Sequence, residues 1–521
     1  MTNHGPHPVA SGRERRPSPT SDRRTFLRRG SAAAAGALLA PGLLVGCEAN
    51  QPVDLDAIVP VPPTPTGPLR EVRLVAGPVE VELAPGRVWR TWGYNGQYPG
   101  PEIRVREGER LRVTVENDLP GADTTVHWHG VPVPNPMDGV PGLTQEPVPP
   151  GGSMVYDFEA NPAGSYMYHS HVGLQLDRGL LGPLVVEEAT PHVAYDREHV
   201  LVFDDVLLDE PRPLSELVRD GDGGMGMMGR GGMMDRMMGR DRRQDGDRRR
   251  GGMMDGMTGG VVPPYAGLAV NGRLPEAPAE FEVRRGERVR LRLINPGGAT
   301  TYRVAVGGHR MTVTHADGRP VEPVTVDRLT IGMGERYDVV VEADNPGVWP
   351  LVAATVEGDS APARAVLRYA DAAGSALRDG LPEGLRGGRA LRYADLQSVE
   401  TLPPEGAPDR TFDLRLSGGM MMDPGVWTMG GEAYPDAAPL EVREGERVRV
   451  TLSNMSMMLH PMHLHGHFFR TGNALKDTVL VEAHMGRASF EFTADNPGRW
   501  FFHCHNLYHL HAGMAREVRY V

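Results

Sequence analysis

The chain has 521 residues, enough for two to four domains of roughly 100–200 residues each, and 40% of its residues are apolar. The net charge of −12 argues against a nucleic-acid-binding protein, and two cysteines exclude both a disulfide scaffold and a cysteine-rich metal site. Beyond the N-terminus no apolar run reaches the ~18 residues that a membrane span needs. The 66 Gly and 47 Pro predict many turns, so we expect a β-rich architecture.

The N-terminal residues 1–47 have the features of a targeting signal. Arg23 and Arg24, shortly before an uncharged Ala/Leu-rich stretch, are typical of the twin-arginine export signal. The stretch ends in Leu-Val-Gly-Cys at 44–47, which resembles a bacterial lipobox with Cys47 as the lipidated residue; a plain cleaved signal is the alternative. We expect export by the twin-arginine route and a lipid anchor outside the cytoplasmic membrane, followed by a Pro-rich tether over 48–67.

The remainder of the chain contains three copies of one pattern. VREGER at 105–110 and 442–447, and VRRGER at 283–288, each lead into an alternating strand that ends at an asparagine: Asn117, Asn454 and Asn295. An Asn-Pro turn with a glycine, followed by an aromatic strand, also occurs three times. We therefore predict an all-β protein of three Greek-key β-sandwich domains at 68–190, 191–375 and 409–521, with a linker at 376–408.

One segment of the middle domain does not fit this pattern. Residues 220–260 are almost entirely Gly, Met, Arg and Asp, and they include ten methionines. Because the segment has no periodic apolar face, we predict a disordered insert.

Ten of the 19 histidines fall in four short clusters. Residues two apart on a strand share a face, so each His-x-His pair presents two imidazoles side by side. The middle repeat has Val-Ala-Val at 304–306 and Val-Ala-Ala at 352–354 in the equivalent places. The histidines can meet only if the first and third repeats pack together, with the middle repeat as a spacer. The clusters are His127 and His129; His169 and His171; His460, His463 and His465; and His503, His505 and His509.

A second ligand set surrounds the one cysteine that remains after the signal. Cys504, His509 and Met514 follow one strand at a spacing of five residues, and His460 comes from another strand of the same repeat. Two histidines, a thiolate and a weak axial Met make a blue-copper site. Zinc also binds histidine clusters, but the number of histidines and the axial Met favour copper.

At these motifs the sequence resembles the multicopper oxidases, specifically the three-domain bacterial laccase-like and copper-resistance oxidases. The resemblance covers about residues 68–521. It implies three cupredoxin-like domains and four copper ions that couple one-electron oxidation of a donor to four-electron reduction of O2 to water. It also implies the ligands: His460, Cys504, His509 and Met514 for the type 1 copper; His127 and His463 for type 2; and His129, His169, His171, His465, His503 and His505 for the type 3 pair.

A few residues outside the copper motifs bear on the proton supply and on the substrate. In relatives an acid at the position of Asp138 relays protons, and an Asp-Gly pair also suits a turn. Many relatives have a second acid directly after the histidine that corresponds to His509, where this chain has Leu510. Residues 455–458 resemble a substrate-copper segment of cuprous oxidases. Met458 occupies the matching position and Met455 and Met457 lie beside it, although core packing is equally compatible and Ser456 replaces the expected acid. The methionines of 225–257 suggest Cu(I) capture, or a plain insert.

The donor is therefore Cu(I), a small aromatic or phenolic molecule, or both, and a role in copper tolerance is expected. The main alternative is a copper store or carrier without oxidase turnover. A nitrite reductase would share the blue-copper site, but such chains have two domains. We expect a monomer that uses O2, that binds no nucleic acid and that meets the membrane only through its lipid anchor.

Overall fold

The computed structural model describes residues 65–220, 262–358, 360–372, 374–402, 406–420 and 423–521. The targeting signal with Cys47, and the Met/Gly-rich segment except Asp220, lie outside these residues. All described residues belong to one unit, Asp54–Val521. Among them no helix is long and apolar enough to cross a membrane. The described helices are short: α1 Leu214–Asp220, α2 Leu507–His511, and single turns of 3-10 helix at Asn135–Met137, Gln175–Arg178, Ala370–Ala372, Glu383–Leu385 and Tyr393–Asp395.

The first repeat is a sandwich of two four-stranded sheets, ordered β2-β1-β4-β6 and β3-β8-β7-β5. The alternating segment after residue 105 forms β4, and its apolar residues Leu111, Val113 and Val115 are fully buried. The strands are β1 Leu69–Ala84, β2 Arg87–Tyr94, β3 Ile103–Arg106, β4 Arg110–Asn117, β5 His127–His129, β6 Ser153–Glu159, β7 Gly164–His169 and β8 Leu181–Glu187.

The second repeat has a six-stranded sheet, β10-β9-β12-β17-β14-β15, and a five-stranded sheet, β11-β19-β18-β13-β16. Its core is made by the facing apolar sides of these sheets. The strands are β9 Arg197–Val206, β10 Gly267–Val270, β11 Ala279–Val283, β12 Arg288–Ile294, β13 Tyr302–Val306, β14 Met311–Ala316, β15 Arg319–Val326, β16 Leu329–Ile331, β17 Arg336–Glu342, β18 Val348–Thr355 and β19 Ala363–Tyr369.

The third repeat has the same plan, with sheets β21-β20-β23-β28-β25-β26 and β22-β30-β29-β24-β27. The strands are β20 Arg410–Met420, β21 Asp423–Met429, β22 Leu440–Val442, β23 Arg447–Asn454, β24 His460–Leu464, β25 Phe469–Thr471, β26 Ala474–Lys476, β27 Thr478–Val481, β28 Arg487–Thr493, β29 Arg499–Cys504 and β30 Ala515–Tyr520.

The three repeats share one Greek-key topology. In each, the first strand runs parallel to the strand that follows the VR(E/R)GER motif: β1 with β4, β9 with β12 and β20 with β23. In each, the last strand also runs parallel to a short strand of the second sheet: β8 with β3, β19 with β11 and β30 with β22. The predicted fold class, an all-β protein with three sandwiches, is confirmed.

The asparagines that end the motif strands have equivalent roles in the three repeats. Asn117, Asn295 and Asn454 are fully buried. In every case Nδ2 donates to two backbone carbonyls, and Oδ1 accepts from the backbone N–H two residues later. Buried polar groups need hydrogen-bond partners, and in each repeat the asparagine side chain supplies them to the backbone of the turn that follows its strand.

The first and third repeats are in direct contact. Nδ2 of Asn135 donates to the carbonyl of Arg499 (2.7 Å), and Nδ2 of Asn496 donates to the carbonyl of Val133 (3.1 Å). A small apolar cluster spans the same boundary: Val140, Leu143, Phe501 and Ala515. This packing brings the histidine-bearing strands β5 and β7 to β24 and β29.

Candidate metal centre

Eight histidines from the first and third repeats form one cluster. The ring of His127 stacks on His465 with centroids 3.8 Å apart, and the ring of His129 stacks on His463 at 3.7 Å. Each stack therefore joins one repeat to the other. The remaining members are His169, His171, His503 and His505. All are buried except His171, which is half-buried.

The imidazoles of this cluster have the donor set that a metal requires. Buried nitrogens without a hydrogen-bond partner are Nε2 of His127, His169, His171 and His463, Nδ1 of His129, and both nitrogens of His505. Orphaned buried polar atoms are costly and rare, so this concentration fits sites for cations. Nε2 of His465 and Nε2 of His503 lie 3.0 Å apart and complete the set.

The surroundings keep these rings neutral and correctly oriented. Burial lowers the pKa of His169 to about 3 and lowers the pKa of His503 and His505 well below the usual value, so the ligand form is present at neutral pH. Backbone carbonyls face Nδ1 of His169 (3.0 Å) and of His503 (2.9 Å). The Nδ1–H donates to the carbonyl, and the Nε2 lone pair is left for a metal.

Asp138 lies against the cluster, as its position after His129 indicated. Its carboxylate oxygens are 3.0 and 3.2 Å from Nδ1 of His465, and its backbone carbonyl is 2.8 Å from Nδ1 of His127. The residue is fully buried. Asp138 therefore holds one ring from each repeat, and its carboxylate is within reach of the cluster for proton exchange.

A second carboxylate, Asp477, was missed by the sequence analysis. Its Oδ1 lies 3.5 Å from Nε2 of His129 and 3.4 Å from Nδ1 of His463, and its backbone carbonyl is 3.0 Å from the latter atom. These contacts explain why the two rings present different nitrogens to the centre: His129 is left with a free Nδ1 and His463 with a free Nε2.

The structure also brings together the cysteine and the two histidines of the second ligand set. Nδ1 of His460 and Nδ1 of His509 each lie 3.6 Å from Sγ of Cys504, and all three residues are buried. Met514 is fully buried beside them, with its backbone N–H donating to the carbonyl of His509 (2.9 Å). Burial, and to a smaller degree the charge of Glu357, raises the pKa of the Cys504 thiol. A bound cation is therefore what would stabilise a thiolate here.

Neighbouring side chains fix the two histidines of this set. Oγ of Ser456 lies 2.7 Å from Nε2 of His460 and donates to Oδ1 of Asn454 (2.8 Å). The Nε2–H of His460 therefore donates to Ser456, which leaves Nδ1 facing the sulfur. The indole of Trp427 stacks on His509 with centroids 3.8 Å apart. Neither Trp427 nor the Ser456–Asn454 chain was anticipated from the sequence.

The candidate substrate methionines differ in exposure. Met458 is 8% exposed and packs in the apolar core, whereas Met455 and Met457 are 48% and 41% exposed. Exposed Glu357 of the middle repeat accepts a hydrogen bond from the backbone N–H of Leu459 (3.0 Å), next to His460. A carboxylate of another repeat therefore lies next to the segment in which position 456 is a serine.

The middle repeat, which the sequence predicted to be a spacer, also contacts the residues of the histidine cluster. Gly334 packs on the histidine cluster: a Cβ there would lie 3.0 Å from Cε1 of His129 and 3.0 Å from the ring of His505. Arg336, two residues later, pairs with Asp477.

The fold, the histidine cluster with its orphaned imidazole nitrogens, and the Cys-His-His group fit the class of copper proteins. Comparison with known proteins agrees. The chain matches the family description "Multicopper oxidase" over residues 77–191, 244–372 and 409–521. It is 37% identical to multicopper oxidase MmcO of Mycobacterium tuberculosis, over 96% of this chain and 98% of that protein. It is 31% identical to copper resistance protein A of Escherichia coli, over 82% and 88% of the two chains.

Solved structures show the same architecture. A multi-copper oxidase from Pseudomonas thermotolerans has a TM-score of 0.63 and 27% identity, over 88% of this chain and all of that one. Fet3p, whose structure is described as that of a multicopper oxidase that functions in iron import, has a TM-score of 0.70 over 87% of this chain and 90% of that one; at 24% identity this likeness concerns the fold alone. The three sandwiches are therefore cupredoxin-like.

The chain belongs to the multicopper oxidase family. It is a copper-dependent oxidoreductase, and the alternative of a store or carrier without turnover is disfavoured.

Proposed function

We propose that the protein oxidises Cu(I) with O2 and thereby contributes to copper tolerance. The observation that carries this proposal lies beside His460, a member of the buried Cys-His-His set: exposed Glu357 contacts the preceding residue. Two exposed methionines, Met455 and Met457, come five and three residues before His460 in the sequence. Thioethers are soft ligands that favour Cu(I), and a carboxylate adds attraction for a cation. The resemblance to copper resistance protein A supports the same donor.

We assign the resident copper ions to the predicted ligands. His460, Cys504, His509 and Met514 would hold a type 1 ion, and the eight clustered histidines a type 2 ion and a type 3 pair. Copper bound there supplies one-electron redox chemistry, so that four oxidations of the donor can be coupled to reduction of one O2 to two waters. The type 2 ligands are His127 and His463, and the type 3 ligands are His129, His169, His171, His465, His503 and His505.

The chain itself provides the connection between the two centres. Cys504 contributes its sulfur to one set, and its sequence neighbours His503 and His505 contribute their imidazoles to the other. One strand end therefore links the site of donor oxidation to the site of O2 reduction through a few covalent bonds. Both sets are buried except for His171, which is half-buried, so most of these side chains are shielded from bulk water.

We propose that Asp138 relays protons to the cluster. Its carboxylate oxygens lie at hydrogen-bond distance from Nδ1 of His465 and can hold a proton there. The cavity beside His171 and His503 is also lined by Leu507 and Leu510, and its described lining includes no carboxylate. We assign this role to Asp138 because both oxygens of Asp477, the other carboxylate that faces cluster histidines, accept hydrogen bonds from Arg336.

The test of the donor compares kcat/KM for Cu(I) with kcat/KM for a small phenol. Glu357→Gln removes the accessible charge but keeps the hydrogen-bond acceptor, so we expect Cu(I) oxidation to fall about tenfold and phenol oxidation to change little. Glu322→Gln, at an exposed position on β15 of the same repeat, is the matched control. Equal losses for both donors, or wild-type Cu(I) kinetics in the variant, would contradict the proposal.

We further propose that the methionines of 225–257, which lie outside the described residues, capture Cu(I) for this surface. Ten thioethers on a Gly-rich chain can wrap Cu(I) in many ways. Deletion of 225–257 should then weaken Cu(I) oxidation at low copper, mainly by raising KM, and leave phenol oxidation nearly intact. Unchanged Cu(I) kinetics would make the segment a plain insert.

Export and anchoring are also proposed, on the sequence evidence of Arg23, Arg24 and Cys47 alone. Lysine at both arginine positions should retain the protein in the cytoplasm, and Cys47→Ala should release it from membranes. Wild-type protein found unlipidated in the soluble fraction would contradict the anchor.

A further inference from the structure

A buried arginine of the copper-free middle repeat reaches the third repeat. Nη1 and Nη2 of Arg336 donate to Oδ1 and Oδ2 of Asp477 at 2.8 and 2.6 Å. Both side chains are at most 1% exposed. This is the paired, two-bond geometry in which a guanidinium fixes the plane of a carboxylate.

The carboxylate so fixed is the one that faces two histidines of the cluster. Oδ1 of Asp477 lies 3.5 Å from His129 and 3.4 Å from His463, and it also accepts from Oγ of Thr478 (2.8 Å). The free nitrogens of His129 and His463 point away from this contact. The orientation of the carboxylate therefore sets which nitrogen each ring presents to a metal.

Arg336 is itself held from several directions. Its Nη1 donates to the carbonyl of Gly334 (2.8 Å), its Nε donates to the carbonyl of Ser165 in the first repeat (3.1 Å), and its backbone N–H donates to Asp317 (2.9 Å). Buried Lys476 of the third repeat pairs with Asp317 at 2.9 Å. The guanidinium is thus anchored by all three repeats.

The ion pair between Arg336 and Asp477 lies against a glycine of the first repeat. Gly130, which follows His129, has φ +86°, and a Cβ there would lie 2.3 Å from Nη2 of Arg336 and 2.7 Å from Oδ2 of Asp477. Only glycine at this position leaves room for the ion pair directly behind a cluster histidine.

We propose that Arg336 is a positioning residue for the histidine cluster: through Asp477 it orients His129 and His463, so that the middle repeat takes part in building the metal centre. The inference rests on the proposed copper assignment. Partners that orient metal ligands typically change metal affinity by 10- to 100-fold when they are altered. A lysine at position 336 keeps the charge but loses the two-bond geometry, so it isolates the orienting role.

The test compares Arg336→Lys with Arg290→Lys. Arg290 is equally buried and pairs with Asp338 (2.6 Å) in the same repeat, and the structure shows it touching none of the eight cluster histidines. The readouts are copper retained per chain after dialysis against a chelator, the electron paramagnetic resonance spectrum of the non-blue copper, and the blue absorption band as an internal reference.

We expect Arg336→Lys to bind cluster copper about tenfold or more weakly and to change the non-blue spectrum, with the blue band unchanged. Arg290→Lys should retain its copper even if its thermal midpoint falls. A wild-type spectrum and wild-type copper retention in Arg336→Lys would overturn the inference, and so would an equal loss in both variants. Wild-type protein without non-blue copper would instead contradict the proposed function.

Asp477→Asn supplies a second, independent arm. If Arg336 acts through Asp477, adding Arg336→Lys to Asp477→Asn should change the non-blue spectrum little further, because the two positions work as one unit. Should Arg336→Lys fail to fold, Asp477→Asn alone is measured: loss of cluster copper with the blue band retained supports the inference, and full retention overturns it. Additive spectral changes in the double variant would show that Arg336 works by another route.

Discussion

Asn454 links the internal repeat of the fold to the cysteine-containing centre. Its Nδ2 donates to the carbonyls of Met458 (2.7 Å) and Glu482 (2.9 Å), and its Oδ1 accepts from the backbone N–H and from Oγ of Ser456, both at 2.8 Å. Ser456 in turn holds Nε2 of His460. Replacing Asn454 by alanine should therefore loosen both the turn and the histidine.

The size of the effect follows from the groups left without partners. Asn454→Ala removes the partner of the carbonyls of Met458 and Glu482, of which the second is only partly buried, and of the N–H and Oγ–H of Ser456. A buried group left without a partner costs about 1–3 kcal/mol. With partial relaxation we expect a loss of about 3–6 kcal/mol. At roughly 2–4 °C per kcal/mol for a domain of this size, the thermal midpoint should fall by roughly 6–24 °C. The blue band should shift, because Ser456 loses its acceptor and His460 its fixed orientation.

Asn295 of the middle repeat is the matched control. Its side chain makes the same three backbone hydrogen bonds, at 3.0, 3.1 and 3.1 Å, in a repeat without copper ligands. Asn295→Ala should destabilise the protein comparably and leave the blue band unchanged. A midpoint for Asn454→Ala within 2 °C of wild type, or an equal band shift in both variants, would refute the reasoning.

Two further perturbations test the electrostatics and packing near the centres. Burial raises the pKa of the Asp177 carboxyl to about 7, so the folded state binds this proton more tightly than the unfolded state, and the free energy of unfolding should fall by up to about 4 kcal/mol as the pH rises from 4 to 7. In Asp177→Asn the thermal midpoint should fall less steeply over this pH range, and a pH profile equal to that of the wild type would contradict the expectation. Gly334→Ala, whose Cβ would press on His129, should lower the copper content of the cluster and retain the blue band. Gly286→Ala, at a similar φ (+85° against +84°) but in open space, should keep its copper content, and equal copper contents in the two variants would contradict this.

Much of the fold and the ligand set could be predicted because both leave local signals. The repeated strands carry their period-two pattern and their terminal asparagines in the sequence, and each His-x-His pair is a local motif. The structure brings these predicted histidines together, although their assignment to individual copper ions remains a proposal.

The residues that orient the ligands could not be predicted in the same way. Arg336 and Asp477 are 141 positions apart and lie in different repeats, so no spacing relates them. Glu357 of the middle repeat contacts Leu459, just before His460, whereas the resemblance to cuprous oxidases suggested an acid at position 456, which is a serine. Such contacts depend on how the repeats pack, and a pattern along one strand carries no information about that packing.

The most direct test of the account is the copper content and visible spectrum of wild-type and Cys504→Ser protein, both loaded with copper and freed of excess metal. The account predicts about four coppers per chain and an intense thiolate-to-copper band for the wild type, with about three coppers and no such band for Cys504→Ser. A colourless wild-type protein that holds one copper or fewer would contradict it.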